Sequence, residues 1–186
     1  MSKYGPIGMR PLSYGAVREF ARNGAGATAV EFALLMAPLI AIVLAALQTA
    51  IIFAYDQALQ SVTQTAARQL MTGRVQTSNL TQAQFQSAVC GYASPLFQCG
   101  GLMVDVESGS TFSAISTASL TPTYDSSGSV TNTWSYKPGA AGDIVIIRVM
   151  YDWPVVGGPM ALGLANQSNG TRLLVGTAVI KNEPYG

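Results

Sequence analysis

Histidine is missing from this 186-residue sequence. Its absence removes His-based general acid/base work, activation of a Ser or Cys nucleophile by imidazole, and most zinc and iron sites. Charge is scarce too: ten Lys and Arg stand against nine Asp and Glu, a formal net charge of +1. A phosphate-binding surface needs clustered basic residues, so nothing here points to nucleic acid. No Gly-rich phosphate loop is present, because Gly157-Gly158-Pro159 lacks the Lys and Ser/Thr that would have to follow. No nucleophile elbow or Ser-x-x-Lys arrangement stands near a helix start either, which leaves an exported Ser/Lys hydrolase without a motif. The acids are scattered. Asp105 and Glu107 share a strand face, Asp143 and Asp152 flank another strand, and none has the loop spacing of a calcium site. The expectation is a protein with no catalytic residues, no metal and no cofactor.

What the chain does have is one long apolar run. From Phe32 to Tyr55 no residue is charged, and as a helix that stretch rises roughly 35 Å, enough to cross a hydrocarbon core of about 30 Å with some tilt. Ahead of it, Lys3, Arg10, Arg18 and Arg22 oppose the single acid Glu19. This bias keeps the N-terminal end in the cytoplasm and exports everything after Tyr55. The run is too long for the apolar region of a secretory signal, and the plausible cut lies before it rather than after it. A cut at Gly26 leaves the helix attached to the exported domain.

Glu31 stands at the edge of this run, where a carboxylate drawn into the bilayer costs a few kcal/mol, on the order of 3, depending on depth. Two readings of it are open. After a cut at Gly26, the new amine of Ala27 lies four residues ahead on the same helix face and neutralises the carboxylate, within a subunit or between neighbours. The expected position of Glu31 in the first helical turn also suits the macrodipole. In the other reading the helix is uncut and Glu31 rests among the cytoplasmic headgroups. Pro38, inside the apolar helix, removes one backbone hydrogen bond and marks a candidate kink.

The segment Gly26-Ala27-Thr28-Ala29-Val30-Glu31-Phe32 resembles the prepilin peptidase site of type IV pilin-related proteins, with Gly before the cut and Glu at the fifth mature position. Glu followed by an aromatic is especially similar to the Tad (tight adherence, Flp) subclass. The longer stretch from Arg22 to Pro38 resembles the TadE-like family of pseudopilins, as does the ending Lys181-Asn182-Glu183-Pro184-Tyr185. The resemblance implies cleavage between Gly26 and Ala27, assembly roles for Glu31 and Phe32, and a structural minor pilin needed to build a Flp-type pilus used in surface adhesion. Its implied partners are a prepilin peptidase, TadE/TadF/TadG-like pseudopilins, the Flp major pilin and inner-membrane platform proteins. Ala27 departs from the Phe that many type IV pilins carry at the first mature position, which puts N-methylation in doubt. Gly24 offers a second cut, but it would make Glu31 seventh rather than fifth. The alternative function is an unprocessed single-pass anchor bearing a periplasmic binding or envelope domain.

The implied organisation is a cytoplasmic leader over 1–26, a transmembrane and stalk helix over 27–72, and a periplasmic domain over 73–186. Leu59, Val62, Ala66 and Leu70 recur at helical spacing, so the anchor continues to about Met71, with Gly73 as its stop. Thr81-Gln82-Ala83-Gln84 fits a capping box, with Leu80 and Phe85 as its staple, opening a short helix to about Tyr92. Cys90 and Cys99 are the only cysteines. Export places them where disulfides persist, and closing that loop contributes roughly 2.5–3 kcal/mol in the loop-entropy model.

Beyond Cys99 the period changes. Leu102, Val104 and Val106 alternate with Met103, Asp105 and Glu107, a half-buried strand with its acids toward solvent. Thr111 to Ser129 reads as an exposed loop with a turn at Tyr124-Asp125-Ser126-Ser127-Gly128, and Val130 to Tyr136 as a returning strand. Ile144 to Tyr151 and Leu173 to Ile180 are apolar enough for central strands. Trp153 to Leu164 is the least determined stretch: a short helix over Met160 to Leu164 fits Pro159, and its apolar residues either close the core or face a partner subunit. The whole reads as α+β: a long N-terminal transmembrane helix continuing as a stalk, then a small antiparallel sheet.

Overall fold

A computed structural model describes residues 26–155 and 163–185. Two compact units divide the chain, Met1–Leu44 and Ala45–Gly186. Helix α1 runs Ala27–Met71 over 45 residues, with Pro38 inside it. In the first unit its apolar side chains are outward: Phe32, Leu34 and Leu35 are 64%, 70% and 72% exposed. In the second unit the same helix supplies Leu59, Val62, Ala66, Ala67 and Leu70 to a buried core. The periodicity expected to Met71 is therefore present, and the helix ends where Gly73 turns left-handed at φ 71°.

After a short turn of helix, α2 (Arg74–Thr77), comes α3 (Gln82–Ala93). Thr81 caps it as expected: its Oγ1 accepts the Gln84 amide at 3.3 Å, and its own amide donates to Gln84 Oε1 at 2.9 Å. Phe85 and Val89 turn into the core. The Cys90–Cys99 disulfide, with Cα atoms 5.3 Å apart, ties α3 to the turn that launches the sheet.

The sheet has three antiparallel strands in the order β1 (Leu102–Gly109), β2 (Ile144–Pro154), β3 (Thr171–Lys181). Register places Val104 opposite Val149 and Val106 opposite Ile147, so one face of the sheet carries Leu102, Val104, Val106, Val145, Ile147, Val149 and Tyr151 against the helices. Gly176 lies where α1 crosses β3; a Cβ there would run into Thr63 and come within 2.9 Å of the Leu59 carbonyl. At this close approach only glycine fits.

Three expectations are corrected. The stretch Val130–Tyr136 forms no strand; it makes isolated bridges, Val130 to Tyr124 and Tyr136 to Val106. It serves instead as a cover for the outer edge of β1, where the Val106 amide donates to Ser135 O at 2.9 Å and Lys137 N donates back at 2.8 Å. Secondly, β3 is an edge strand rather than a central one. Its exposed backbone is blunted by Gln60, whose carboxamide donates to Thr177 O at 3.0 Å and accepts from Thr177 N at 3.1 Å, as a neighbouring peptide group would. Thirdly, the acids of β1 do not share a solvent face. Asp105 is 3% exposed and paired with Arg148 Nη1 at 2.9 Å.

That ion pair explains why β1 is buried on both sides. Asp105 Oδ1 also accepts the Ser135 amide at 2.9 Å, and Arg148 Nη2 donates to Ser116 O. The two charges thus hold the 111–137 connection over the second face, where Met103, Ile115, Ile146 and Met150 are buried. The turn at Asp125 forms as expected, with Gly128 N donating to Asp125 O at 3.0 Å. The suggested helix at Met160 to Leu164 falls largely outside the described residues.

The end of the chain closes the unit. Glu183 N donates to Met71 O at 2.9 Å, and the Tyr185 ring covers Gly73, where a Cβ would collide with it. Buried Asn182 donates its amide to Pro138 O and Ala140 O at 2.9 and 3.1 Å. The tail therefore clasps the end of α1 to the 138–143 turn.

Removing one member of a buried ion pair leaves the other charge uncompensated. Arg148→Met is expected to lower the unfolding free energy by about 3–5 kcal/mol, and Asp105→Leu added to it should recover much of that loss. Denaturant titration of the full chain in detergent measures both; a loss for Arg148→Met of under about 1 kcal/mol contradicts the assignment.

Candidate functional site

The residues singled out at the N-terminus lie on one continuous helical segment. Gly26 is exposed, and a Cβ built on it meets nothing within 4 Å among the described residues. Neither packing nor a left-handed backbone requires glycine there. Ala27 opens α1, and Glu31 and Phe32 follow on its exposed surface. Ala27 and Glu31 keep the i, i+4 relation that places both on one helix face. The first turn of the helix, however, holds no acid. Glu31 lies in the second turn, beyond the reach of the macrodipole, which decays within one turn. This corrects the expected position.

Around these residues the helix packs against no other element among the described residues. Its most apolar window has a mean hydropathy of 2.5 and none of that window is buried, and the helix is long and apolar enough to cross a membrane. Exposure at this density is the mark of a surface made for lipid or for other helices.

Among the described residues, no group of three or more Cys, Asp, Glu or His is placed to hold a metal ion. Perturbed ionisation has structural causes. Tyr124 Oη donates to Asp152 Oδ1 at 3.0 Å and to Gln167 Oε1 at 3.3 Å. Burial first, and then the bond to and charge of Asp152, push its phenol up to about 12. Asp125, fully exposed, is held below the usual carboxylate range by bonds from the Ser127 hydroxyl and the Ser129 amide, which make it the anchor of a turn. Tyr136 is raised by burial as its hydroxyl donates to Leu80 O at 2.8 Å. These groups lace loops to the sheet.

The described residues hold one helix long and apolar enough to cross a membrane, followed by a small α+β unit, an arrangement that fits a membrane-anchored component. Residues 26–68 match the family model described as TadE-like protein, so this helix carries the signature of that family, which consists of structural components associated with Tad pili. The match begins at Gly26. The resemblance read from Arg22 to Pro38 is borne out from Gly26 onward; the match does not extend to Lys181–Tyr185. No curated protein and no solved structure matches the chain.

Two features of the head escaped the sequence reading. The Asp105–Arg148 pair was hidden because an acid on an alternating strand reads as solvent-facing; the signal was Arg148 in an otherwise apolar strand. The Gln60 clamp on Thr177 joins residues 117 positions apart, and no local pattern marks it.

Tyr124 gives a pH-dependent test. Its folded pKa is raised above its unfolded value near 10, so its contribution is fully present below pH 10 and is lost as pH rises through about 12. Stability of the wild type relative to Tyr124→Phe should therefore fall across that window in unfolding titrations. A difference that stays flat from pH 9 to 12 would remove the Tyr124–Asp152 bond as a contributor.

Proposed function

We propose that the protein is a minor pilin or pseudopilin of a Tad (Flp) pilus, made as a single-pass inner-membrane precursor with its leader, residues 1–26, in the cytoplasm and residues 73–186 in the periplasm. A prepilin peptidase cuts after Gly26, and the helix over 27–72 then leaves the bilayer to pack with other pilin-like subunits. The observation that carries this reading is a glycine with no structural duty: the family match starts at Gly26, yet neither steric crowding nor backbone conformation requires glycine there. Among the described residues nothing else asks for glycine at this position, and a peptidase site supplies a reason for it.

The energetics favour assembly over release. Water would bear more than twenty exposed apolar residues at about 25 cal/mol per Å², so the helix leaves lipid only for a bundle of similar helices. There an unpaired Glu31 is strongly disfavoured, and the Ala27 amine of the same or a neighbouring subunit supplies the counter-charge. Pro38 loosens the helix near its cytoplasmic end, as neighbours in a bundle permit. ATPase and platform proteins perform the work, and the head supplies selectivity among TadE/TadF/TadG-like pseudopilins and the Flp major pilin during assembly of an adhesive pilus.

Intact mass and N-terminal sequence, with and without a prepilin peptidase, test the first step. The expected result is a peptidase-dependent start at Ala27 that Gly26→Asp abolishes. Retention of Met1 in both samples favours the second reading, a permanently anchored periplasmic binding or envelope protein. For the second step, Glu31→Gln should leave cleavage intact and reduce surface pili at least about tenfold, the factor that 1.4 kcal/mol represents. Normal piliation by that mutant overturns the pairing role of Glu31.

A further inference from the structure

Strand β2 ends against helix α1. Gln48, Ile51 and Ile52 of the helix form one wall of a cavity of about 210 Å³, and Trp153, Pro154 and Val155, with Leu164 beyond them, form the other. None of these residues is charged. The Tyr55 ring lies 3.7 Å from that of Trp153, centroid to centroid, and so fixes the indole as a wall. Gln48 Oε1 is buried without a hydrogen-bond partner among the described residues. An apolar notch with one unsatisfied amide oxygen is therefore built into the head where the helix enters it.

We propose that this notch holds one acyl chain of a bilayer lipid and docks the head on the periplasmic leaflet before the subunit is extracted. The proposal rests on the membrane-anchored reading above. Its depth follows from the helix: the 20 residues from Glu31 to Ile51 rise about 30 Å, the thickness of a hydrocarbon core. With Glu31 at one boundary, Ile51 and Ile52 reach the other. Trp153 lies beside them, and an indole favours that boundary because its body is apolar and its edge polar. A lipid's glycerol and headgroup region also supplies the water and donors that Gln48 Oε1 lacks inside the protein.

Size separates an acyl chain from the competing occupant, a helix of a neighbouring subunit. A helix about 10 Å across fills about 400 Å³ per turn, twice the cavity, whereas a run of methylenes is narrow enough to thread it. Docking would hold the head in one orientation on the membrane and present the same surface of each precursor to the assembly machinery. Extraction must then strip the lipid from the notch, so the notch resists premature release.

Trp153 reports on its own occupancy, because the chain has only two tryptophans and Trp134→Phe leaves it alone. The full chain is placed in phosphatidylethanolamine–phosphatidylglycerol vesicles containing lipids brominated either near the glycerol end or near the methyl end of the acyl chain. Glycerol-end bromine is expected to quench Trp153 by about half and methyl-end bromine several-fold less, as a boundary position requires. Val155→Asp should abolish this quenching while near-UV circular dichroism and flotation with vesicles stay unchanged. Flotation without quenching, or equal quenching at both depths, overturns the notch as a boundary lipid site, and the parent chain decides this even if Val155→Asp fails to fold. A photo-crosslinker at Val155 that captures a pilin-like protein rather than phospholipid in native membranes likewise overturns it. Failure to float at all overturns the membrane anchor itself and the lipid site with it.

Discussion

One helix faces two burial problems. From Thr28 to Leu44 the side chains find no partner among the described residues, and from Ile52 on they form the wall of a core; the 45 residues of α1 serve both without a break. The composition of each half follows. Phe32 to Leu47 is uncharged and apolar on all sides, the composition of a helix meant to be surrounded by apolar matter. From Leu59 onward the apolar residues retreat to one stripe, with Ser61, Gln64, Thr65 and Arg68 on the opposite surface. The head is then assembled against that stripe. Gly176 lets β3 approach the helix backbone at Thr63, and the tail clasp at Met71 and Gly73 fixes the far end.

The head carries little charge and spends two of its charged groups internally. A buried Asp–Arg pair is weak as a source of stability and strong as a constraint, because either partner alone is costly. Here the constraint has a definite geometry. The three bonds among Asp105, Arg148, Ser116 and Ser135 pin a long, Ser- and Thr-rich connection over a face of the sheet that would otherwise expose Met103, Ile146 and Met150. Apolar burial alone would hold that connection loosely; the ion pair gives it one register.

Elements with a strong local code were legible in the sequence. The anchor, the stop at Gly73, the capping box at Thr81, the Cys90–Cys99 link and the three clear strands each depend on neighbours within a few residues or on a composition that only one environment tolerates. The family resemblance at the N-terminus was legible for the same reason, since the residues that carry it are contiguous. What could not be read is what lies across the fold. Whether Asp105 faces water depends on a connection that leaves and returns some thirty residues later, and whether β3 is central or at the edge depends on whether a fourth strand forms. Val130–Tyr136 has the residues of a strand, yet it contributes only isolated bridges because its partner along β1 is confined to Val106.

The scarcity of charge also changes how the open edge of the sheet is guarded. Proteins commonly blunt an edge with Lys or with an inward-pointing charge, but β3 uses carboxamides. Gln60 occupies both backbone groups of Thr177, Asn166 Oδ1 accepts the Leu173 amide at 2.8 Å, and Asn169 Oδ1 accepts that of Thr171 at 3.1 Å. An amide satisfies a peptide group in either sense, as donor and as acceptor, without adding a charge that would have to be desolvated on any contact. Val175 between the guarded residues and Val179 beyond them stay 41% and 43% exposed, so the guard is partial, and the edge is kept from indiscriminate pairing by particular hydrogen bonds rather than by repulsion.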